Sequence, residues 1–392
     1  MIRRPMRVCV IYDCLYPWTV GGAERWTRRV AEGLAAAGHE VTYLTRLQWD
    51  PADPPDLPGI RVVAVAPAME LYNDQGQRRF GPPIRFGLGV LRHLLRHRRD
   101  YDVVHTASFP YFSLLAAGLA FRGRLVVDWH EVWPRAFWHE YAGRLAGTVG
   151  WLVQRVCLAF RQRAFCFSEM NARRLREEGV RGEVVRLPGL YDGPVDGIEP
   201  DDAAGERAPL VVAAGRLVAH KRATLLPGAI ALARERVPGL RAEVMGDGPK
   251  RAALEAAVDE AVAREFVRLA GFVSGEELDD ALRRAAVLVQ PSEREGFGMV
   301  VLEAAAAGTP TVVTDGPETA APELVEEGVN GVVVHEPTPA AIADGIVRVL
   351  EAGAPLRRST AQWFARNAQA RSLAASVTTV VADYDEPADA RR

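Results

Sequence analysis

The stretch VLVQPSEREGFGMVVLEAAAAG, residues 287–308, decides the fold more than any other part of the chain. The apolar or strand-forming residues Val287–Gln290 are typical of a short buried strand, and a polar loop and a glycine turn at 296–298 follow them. An alanine-rich run then predicts a helix that ends at Gly308. Because the first N–H groups of a helix have no partner within it, and glycines admit a ligand, this turn predicts an anion site. The alternative is an ordinary βα unit with solvated glutamates.

Two carboxylates frame the glycine turn. Glu295 stands directly before it, and Glu303 lies within the predicted helix. Anion-binding amides beside carboxylates suit a ligand that carries both phosphate and hydroxyl groups, because amides donate and carboxylates accept hydrogen bonds. A sugar nucleotide is such a ligand.

The same alternation of strands and helices runs through the whole chain. Strands are predicted at residues 7–13, 41–46, 61–66, 102–106, 124–130, 164–168 and 184–187, and again at 210–214, 242–245, 267–270, 287–290, 311–314 and 332–334. Strands that alternate with helices predict an α/β fold with parallel, doubly wound sheets.

The chain is predicted to form two domains. Its 392 residues are enough for both, and residues 189–208, rich in Asp, Gly and Pro, have the composition of a linker. We therefore assign an N-terminal domain to residues 1–190 and a C-terminal domain to 209–358. Tandem sheets of this kind imply a cleft between the domains. A last helix is predicted at about 360–384.

Composition excludes several classes of protein. The net charge of -2 gives no reason to expect nucleic acid as a partner. The four cysteines have no C-x-x-C spacing, so neither a disulfide framework nor a zinc site is expected. The N-terminal residues lack the pattern of a signal peptide, which predicts a cytoplasmic protein.

A basic turn follows the first strand of the C-terminal domain. Arg216, Lys221 and Arg222 come directly after residues 210–214, and the carboxyl end of a parallel strand is where open sheets bind ligands. Arginine can hold two phosphate oxygens and lysine one, so together they could neutralise a diphosphate without a metal. Lys221 is one of only two lysines among 48 lysine and arginine residues. A solvated basic turn is the alternative.

The N-terminal domain carries weaker signals. The pair Gly21 and Gly22 opens a helix and could bring N–H groups against a phosphate or a sugar. It is not G-x-G-x-x-G, and Arg46 rather than an acidic residue ends the second strand, which disfavours a nicotinamide dehydrogenase. His130 ends the fifth strand, where it could donate a hydrogen bond to a substrate hydroxyl or serve only the structure.

A basic stretch with helical period lies at residues 85–99. It could touch an anionic membrane surface, or it could be a helix packed on the sheet with a solvated arginine face. We favour the second interpretation and leave peripheral membrane contact, at the inner membrane surface, as the alternative.

Together these segments resemble the family 4 retaining glycosyltransferases, the glycosyl transferases group 1, which have the GT-B fold. The resemblance runs from Arg7 to about Ala382. Its elements occur in the family's order: GGAE at Gly21, WHE at Trp129, GRLVAHKR at Gly215, GDGP at Gly246, GFVSGEEL at Gly271 and E-x7-E from Glu295 to Glu303. The resemblance implies two Rossmann-like domains facing across a cleft, the first binding the acceptor and the second the nucleotide sugar.

The resemblance also implies roles for individual residues. Arg216 and Lys221 would bind the donor diphosphate in place of a metal, and Glu303 would accept hydrogen bonds from the ribose hydroxyls. Glu295 and the amides around residues 296–298 would hold the transferred sugar. The implied catalytic set is His130, Arg216, Lys221 and Glu295. The implied donor-binding set is Gly21, Gly22, Arg216, Lys221, Gly271, Phe272, Glu295, Gly296, Phe297, Gly298, Met299, Val300 and Glu303.

Three further expectations follow from the resemblance. Gly22 would meet the donor phosphate from the facing domain, the backbone near Phe272 would contact the base, and the last helix, around Trp363, would pack back onto the first domain. The family often has His-Asp where this chain has His130-Glu131, so the partner of His130 stays open.

The implied function is transfer of a hexosyl-type sugar from a UDP- or GDP-sugar to an acceptor hydroxyl, with retention and without a metal or cofactor. A sugar-nucleotide epimerase or phosphorylase, and a non-catalytic sugar-nucleotide-binding protein, are the alternatives. The base, the sugar, the acceptor and the oligomeric state stay open.

Overall fold

The computed structural model describes residues 5–71, 79–195, 199 and 207–385. The chain divides into two compact units. The first consists of Met1–Pro188 and Leu373–Arg392, and the second of Gly189–Ser372. Each unit contains one parallel sheet with helices packed on it.

The sheet of the first unit has the strand order β3-β2-β1-β4-β5-β6-β7. Its strands are β1 (Arg7–Ile11), β2 (Glu40–Arg46), β3 (Ile60–Ala66), β4 (Val103–Ala107), β5 (Arg124–Trp129), β6 (Gln162–Cys166) and β7 (Gly182–Arg186). Its helices are α1 (Gly22–Ala36), α2 (Gly81–His97), α3 (Tyr111–Ala120), α4 (Arg135–Ala159) and α5 (Glu169–Glu177).

The sheet of the second unit repeats this topology in the order β10-β9-β8-β11-β12-β13. Its strands are β8 (Leu210–Ala214), β9 (Arg241–Met245), β10 (Val267–Gly271), β11 (Val287–Gln290), β12 (Thr311–Thr314) and β13 (Gly331–Val334). Its helices are α6 (Leu226–Arg236), α7 (Arg251–Glu260), α8 (Gly275–Arg284), α9 (Met299–Ala306) and α10 (Pro339–Asn367). The last helix, α11 (Leu373–Asp385), belongs to the first unit.

The predicted fold class is confirmed, and each predicted strand is present with its ends shifted by at most two residues. The prediction succeeds because helices cover both faces of a parallel sheet, so its central strands are continuous apolar runs. Every residue of β4, β11 and β12 is buried.

The end of the chain differs from the predicted single helix at 360–384. The structure contains two helices, because α10 continues to Asn367 and α11 begins at Leu373. Trp363, only 4% exposed, belongs to the second unit, whereas α11 belongs to the first. The predicted linker also differs: its described part begins within the second unit, where the Tyr191 N–H donates to the Arg371 carbonyl at 3.2 Å. Residues 196–198 and 200–206 of that linker lie outside the described residues.

Buried polar contacts attach α11 to the first unit. The Tyr384 hydroxyl lies 2.9 Å from His105 Nδ1, and the Asp383 carboxylate pairs with Arg124 and, at 2.6 Å, with Arg163. Helix α11 packs against α1, where a Cβ on Gly33 would meet Val377 at 2.5 Å. A glycine is therefore needed at this close helix contact.

Candidate functional site

Three loops of the second unit meet at the carboxyl edge of its sheet. Backbone hydrogen bonds join the loops after β8, β9 and β10: Gly215 N–H donates to the Met245 carbonyl at 2.9 Å, and Gly246 N–H donates to the Gly271 carbonyl at 2.7 Å. Gly246 has φ 133°, and a Cβ there would lie 2.0 Å from the Gly215 oxygen. These loops can approach each other only because glycine occupies that position.

The basic turn after β8 contacts the loop after β11. Lys221 Nζ lies 2.5 Å from Glu295 Oε2, and Gln290 Nε2 donates to the same oxygen at 2.5 Å. The Lys221 and Glu295 side chains are 25% and 15% exposed, so the pair is largely shielded from water. The structure thus brings together two of the predicted site residues, and Arg216 is exposed on the same turn.

Two further contacts fix this turn in place. Glu293 N–H donates to the His220 carbonyl at 2.8 Å, and Arg222 pairs with the Glu293 carboxylate at 3.1 Å. Burial, together with the positive charge of Lys221 and two arginines, lowers the pKa of His220 to about 4. His220 is therefore neutral at neutral pH, and the positive charge of the turn belongs to its lysine and arginines.

The backbone of Glu295 is held on both sides. Its N–H donates to the Glu318 carbonyl at 3.1 Å, and its carbonyl accepts from the Ala320 N–H at 2.8 Å. The predicted glycine turn follows, and Gly298 adopts φ 96° and ψ 50°, a left-handed conformation that favours glycine. Helix α9 begins directly after it, and in the described part of the chain no side chain caps its first turn.

The remaining donor-set residues of this unit lie around that helix start. Met299 is 38% exposed, whereas Phe297 is 7% exposed and packs inward. Val300 and Glu303 are partly buried on α9. After β10, Gly271 has φ 77° and the Phe272 ring is 87% exposed.

Sequence reasoning missed two polar residues at this edge. Gln290 ends β11 and holds the Glu295 carboxylate, while Ser292 has a side-chain oxygen that is buried with no hydrogen-bond partner in the part of the chain that is described. The Gln290 Oε1 atom is likewise buried without a partner there. The sequence signal that could have identified Gln290 was its position as a polar residue at the end of an otherwise apolar strand.

The other predicted site residues lie in the first unit. Gly22 begins α1, and Gly21 precedes it with extended backbone, φ -177°. A Cβ on Gly21 would meet the end of the flexible Glu24 side chain at 2.3 Å, so the backbone itself does not demand glycine there.

His130 follows β5 and is enclosed. Its ring stacks on Phe167 with centroids 5.3 Å apart and planes 6° from parallel, and its carbonyl accepts from Asn171 Nδ2 at 3.0 Å. Its Nε2 atom is buried and has no hydrogen-bond partner among the residues described. Burial lowers the pKa of His130, although the charge of Asp128 opposes that shift, so the ring is neutral at neutral pH.

Asp128 is the centre of a buried polar network. Its Oδ2 accepts from Trp26 Nε1 at 2.7 Å, and its Oδ1 lies 3.0 Å from His105 Nε2, whose ring in turn meets Tyr384. Burial alone would raise the pKa of Asp128, but His105, followed by His130 and the Trp26 hydrogen bond, lowers it overall. The carboxylate is therefore ionised, and the hydrogen bonds of this strand end point into the unit.

Two features are absent from the described residues. No group of three or more His, Cys, Asp and Glu side chains is arranged there to hold a metal ion. None of the helices in the described ranges is long and apolar enough to cross a membrane.

Two protein families match the chain, one for each half. The family Glycosyltransferase Family 4 matches residues 20–190, and the family Glycosyl transferases group 1 matches residues 198–386. Among curated relatives, an uncharacterized glycosyltransferase of Methanocaldococcus jannaschii is 26% identical over 88% of this chain and 89% of its own. A GDP-mannose-dependent alpha-(1-6)-phosphatidylinositol monomannoside mannosyltransferase of Mycobacterium tuberculosis is 28% identical over 64% and 67%.

Solved structures share the fold. Sucrose-phosphate synthase from Thermosynechococcus elongatus has a TM-score of 0.75 at 20% identity, over 97% of this chain and 98% of that one. Anabaena HepE in complex with UDP and glucose has a TM-score of 0.71 at 17% identity, over 97% and 100%. At this level of identity the likeness establishes the architecture and nothing finer.

Proposed function

The chain belongs to the group 1 and family 4 glycosyltransferases, and from this premise we propose that it transfers a hexosyl-type sugar from a nucleoside diphosphate sugar to an acceptor hydroxyl with retention. One observation carries the proposal. The Lys221 ammonium and the Glu295 carboxylate, 74 positions apart in sequence, meet at 2.5 Å where β8 and β11 end. Such a pair supplies both a cation for phosphate and an acceptor for sugar hydroxyls.

The diphosphate is assigned to the basic turn. Arg216 and Lys221 lie after β8, the first strand of the second unit, at the sheet edge where doubly wound folds bind nucleotides. Negative charge grows on the departing nucleoside diphosphate as the sugar leaves, and cations already in position stabilise it. In this proposal they do so without a metal or cofactor.

The sugar and the nucleoside are assigned to the loop after β11 and to α9. Glu295 is already held by Lys221 and Gln290, so its carboxylate is fixed before a sugar hydroxyl donates to it. Helix α9 begins four residues after Glu295, and the N–H groups of its first turn have no side-chain cap among the described residues. Glu303 would accept from the ribose hydroxyls, and the backbone at Phe272 would meet the base.

The chemistry balances with groups that the substrates themselves supply. The bond between the sugar C1 and the β-phosphate oxygen breaks, and a bond from C1 to the acceptor oxygen forms on the same face. The acceptor proton passes to a β-phosphate oxygen, so the products are the glycoside and a protonated nucleoside diphosphate. The protein's contribution is position and charge.

The donor is proposed to be a UDP- or GDP-sugar. The mycobacterial relative is GDP-mannose-dependent by its name, and the Anabaena structure contains UDP and glucose. A direct test incubates the protein with UDP-glucose or GDP-mannose and an acceptor mixture and identifies products by mass spectrometry. A glycosylated acceptor supports transfer, an epimerised donor indicates an isomerase, and donor binding without any product indicates a sensor.

Lys221→Ala tests the assigned role. Removing one preorganised charge from a transition state typically costs about 100-fold or more in turnover. Lys250→Ala is the matched control, because Lys250 is the other lysine of the chain and is exposed where α7 begins. Equal turnover of Lys221→Ala and wild type would contradict the role.

A further inference from the structure

Helices α2, α3 and α4 lie side by side on one face of the first unit's sheet. Their inner residues share one apolar core with the strands, and α3 packs against both α2 and α4. Ten of the seventeen large hydrophobic side chains that are exposed in the described ranges belong to these helices or directly precede them: Phe80, Ile84, Leu88, Leu95, Leu119, Tyr141, Leu145, Val149, Leu152 and Val156. We call this surface the three-helix face.

The apolar side chains on α4 form a continuous stripe. The helix is interrupted at Gly143, with φ 76°, and its second segment carries Leu145, Val149, Leu152 and Val156. Steps of four, three and four residues place these side chains on one side of a helix. Leu145 is 85% exposed and the other three are about half exposed. A stripe this exposed is a docking surface rather than a core face.

The charge on the same helices is almost entirely positive. They contain the arginines 85, 92, 96, 135, 144 and 155 but a single acidic residue, Glu140, although the whole chain has a net charge of -2. The surface helices of the second unit differ, because α8 alone contains four acidic residues and two arginines. Positive charge is therefore concentrated on the side of the first unit that also exposes apolar side chains.

We infer that the three-helix face docks on an anionic lipid bilayer. Arginines at headgroup level beside leucine, valine and tyrosine side chains at the acyl boundary are the pattern of a helix that lies in a membrane interface. A second copy of the chain is a poorer occupant, because a two-fold contact would set these arginine-rich helices against themselves without acidic partners. The inference goes beyond glycosyl transfer and stands or falls independently of it.

Vesicle sedimentation tests the inference on the full chain. Vesicles of phosphatidylcholine alone are compared with vesicles that also contain phosphatidylglycerol, at low and at high salt. The protein is expected to sediment with the anionic vesicles, and less so at high salt because screening weakens the arginine contribution. The double variant Leu145→Glu/Val149→Glu is expected to bind about tenfold more weakly, since it removes apolar contact and adds negative charge to the face.

A matched control separates docking from folding. Leu232→Glu changes a leucine that is 41% exposed on α6 of the second unit and is expected to leave vesicle binding unchanged. Thermal melting of each variant shows whether it remains folded, and Arg92→Glu/Arg96→Glu, which changes no apolar residue, is a second route to the same loss of binding. Equal binding of wild type and both double variants would overturn the inference. So would a dimer, seen by light scattering, that Leu145→Glu/Val149→Glu abolishes in a protein that never sediments with vesicles.

Discussion

The carboxyl edges of the two sheets differ in where their polar side chains point, although the strand orders are alike. In the second unit, Lys221 from the loop after β8 and Gln290 at the end of β11 both contact one carboxylate oxygen of Glu295, whose side chain is 15% exposed. In the first unit, Asp128 directs its oxygens inward to Trp26 and to His105. The same topology thus carries the proposed donor site in one unit and a buried polar network in the other.

The outer helices of the two units also differ, in the charge and the apolar side chains that they expose. On the second unit, α8 begins with a capping box of Ser274 and Glu277, and its exposed surface carries both signs of charge. On the first unit, the three-helix face is basic and apolar. Burial of the polar network and exposure of apolar side chains are opposite to the usual pattern, which is why both features of this unit call for a specific explanation.

Asp128→Ala is expected to have the largest effect, and it acts on the first unit. It leaves the Trp26 N–H and the His105 ring buried without their carboxylate, a loss that typically costs about 3–5 kcal/mol of unfolding free energy. Chemical denaturation measures it. The control is Asp344→Ala, which removes an exposed partner of Arg236 and is expected to change stability by less than about 1 kcal/mol. If both variants lost a similar unfolding free energy, the buried network around Asp128 would be no more important for stability than an exposed ion pair.

Glu295→Gln is expected to act on activity rather than on stability. The amide keeps the size of the side chain but removes the charge that Lys221 and Gln290 contact. We expect turnover to fall by about 100-fold, because misplaced or uncharged groups at a reacting sugar cost that much. Glu276→Gln, which changes an exposed glutamate in the first turn of α8, is the control, and an unfolding midpoint near that of wild type shows that the fold is kept. Turnover of Glu295→Gln at the wild-type rate would contradict the role assigned to the Glu295 carboxylate.

Tyr384→Phe is a smaller change in the buried network. It removes only the hydroxyl that meets His105, and one neutral hydrogen bond is worth about 1 kcal/mol. The unfolding free energy should fall by about this amount, with no loss of donor binding in the second unit. A loss of donor binding with unchanged stability would argue that the network is not simply structural.

The pH dependence of stability is expected to involve one histidine in each unit. The pKa of His130 is lowered by burial, and that of His220 is lowered to about 4 by burial and neighbouring cations. A histidine with a lowered folded-state pKa binds fewer protons when folded than when unfolded, so stability rises with pH between the folded value and the unfolded value of about 6.5.

The corresponding measurement compares denaturation at pH 7 and pH 5. Wild type should be less stable at pH 5, and His220→Gln and His130→Gln should each remove part of that loss. Substituting both should flatten the profile further. A double variant that keeps the full pH dependence would show that other groups are responsible.

Particular residues show what sequence could and could not predict. The strands were predictable because their apolar runs depend only on burial at both faces of a sheet. The contact between Lys221 and Glu295 joins loops 74 positions apart, and no local pattern encodes such a distance. The resemblance supplied the two residues but not Gln290, which pairs with Glu295 at the same oxygen.

The predicted single helix at 360–384 was wrong because the break after Asn367 carries no local sequence signal. Helix α10 itself consists of two helical segments that meet at Gly353, which has φ 55° and ψ -137° and stands two residues before Pro355, so glycine and proline do mark that interruption. The break after Asn367 contains neither glycine nor proline. The contact of Tyr384 with His105 spans 279 positions, so the sequence did not predict it either.

Donor binding to Lys221→Ala tests most directly whether the carboxyl edge of the second unit holds the diphosphate. The unfolding midpoint of wild type, Lys221→Ala and Lys250→Ala is measured with and without UDP-glucose and GDP-mannose, since a ligand that binds the folded state raises the midpoint. The account predicts that at least one donor stabilises wild type and Lys250→Ala, and that Lys221→Ala loses most of that shift. An equal shift in all three proteins would contradict the account.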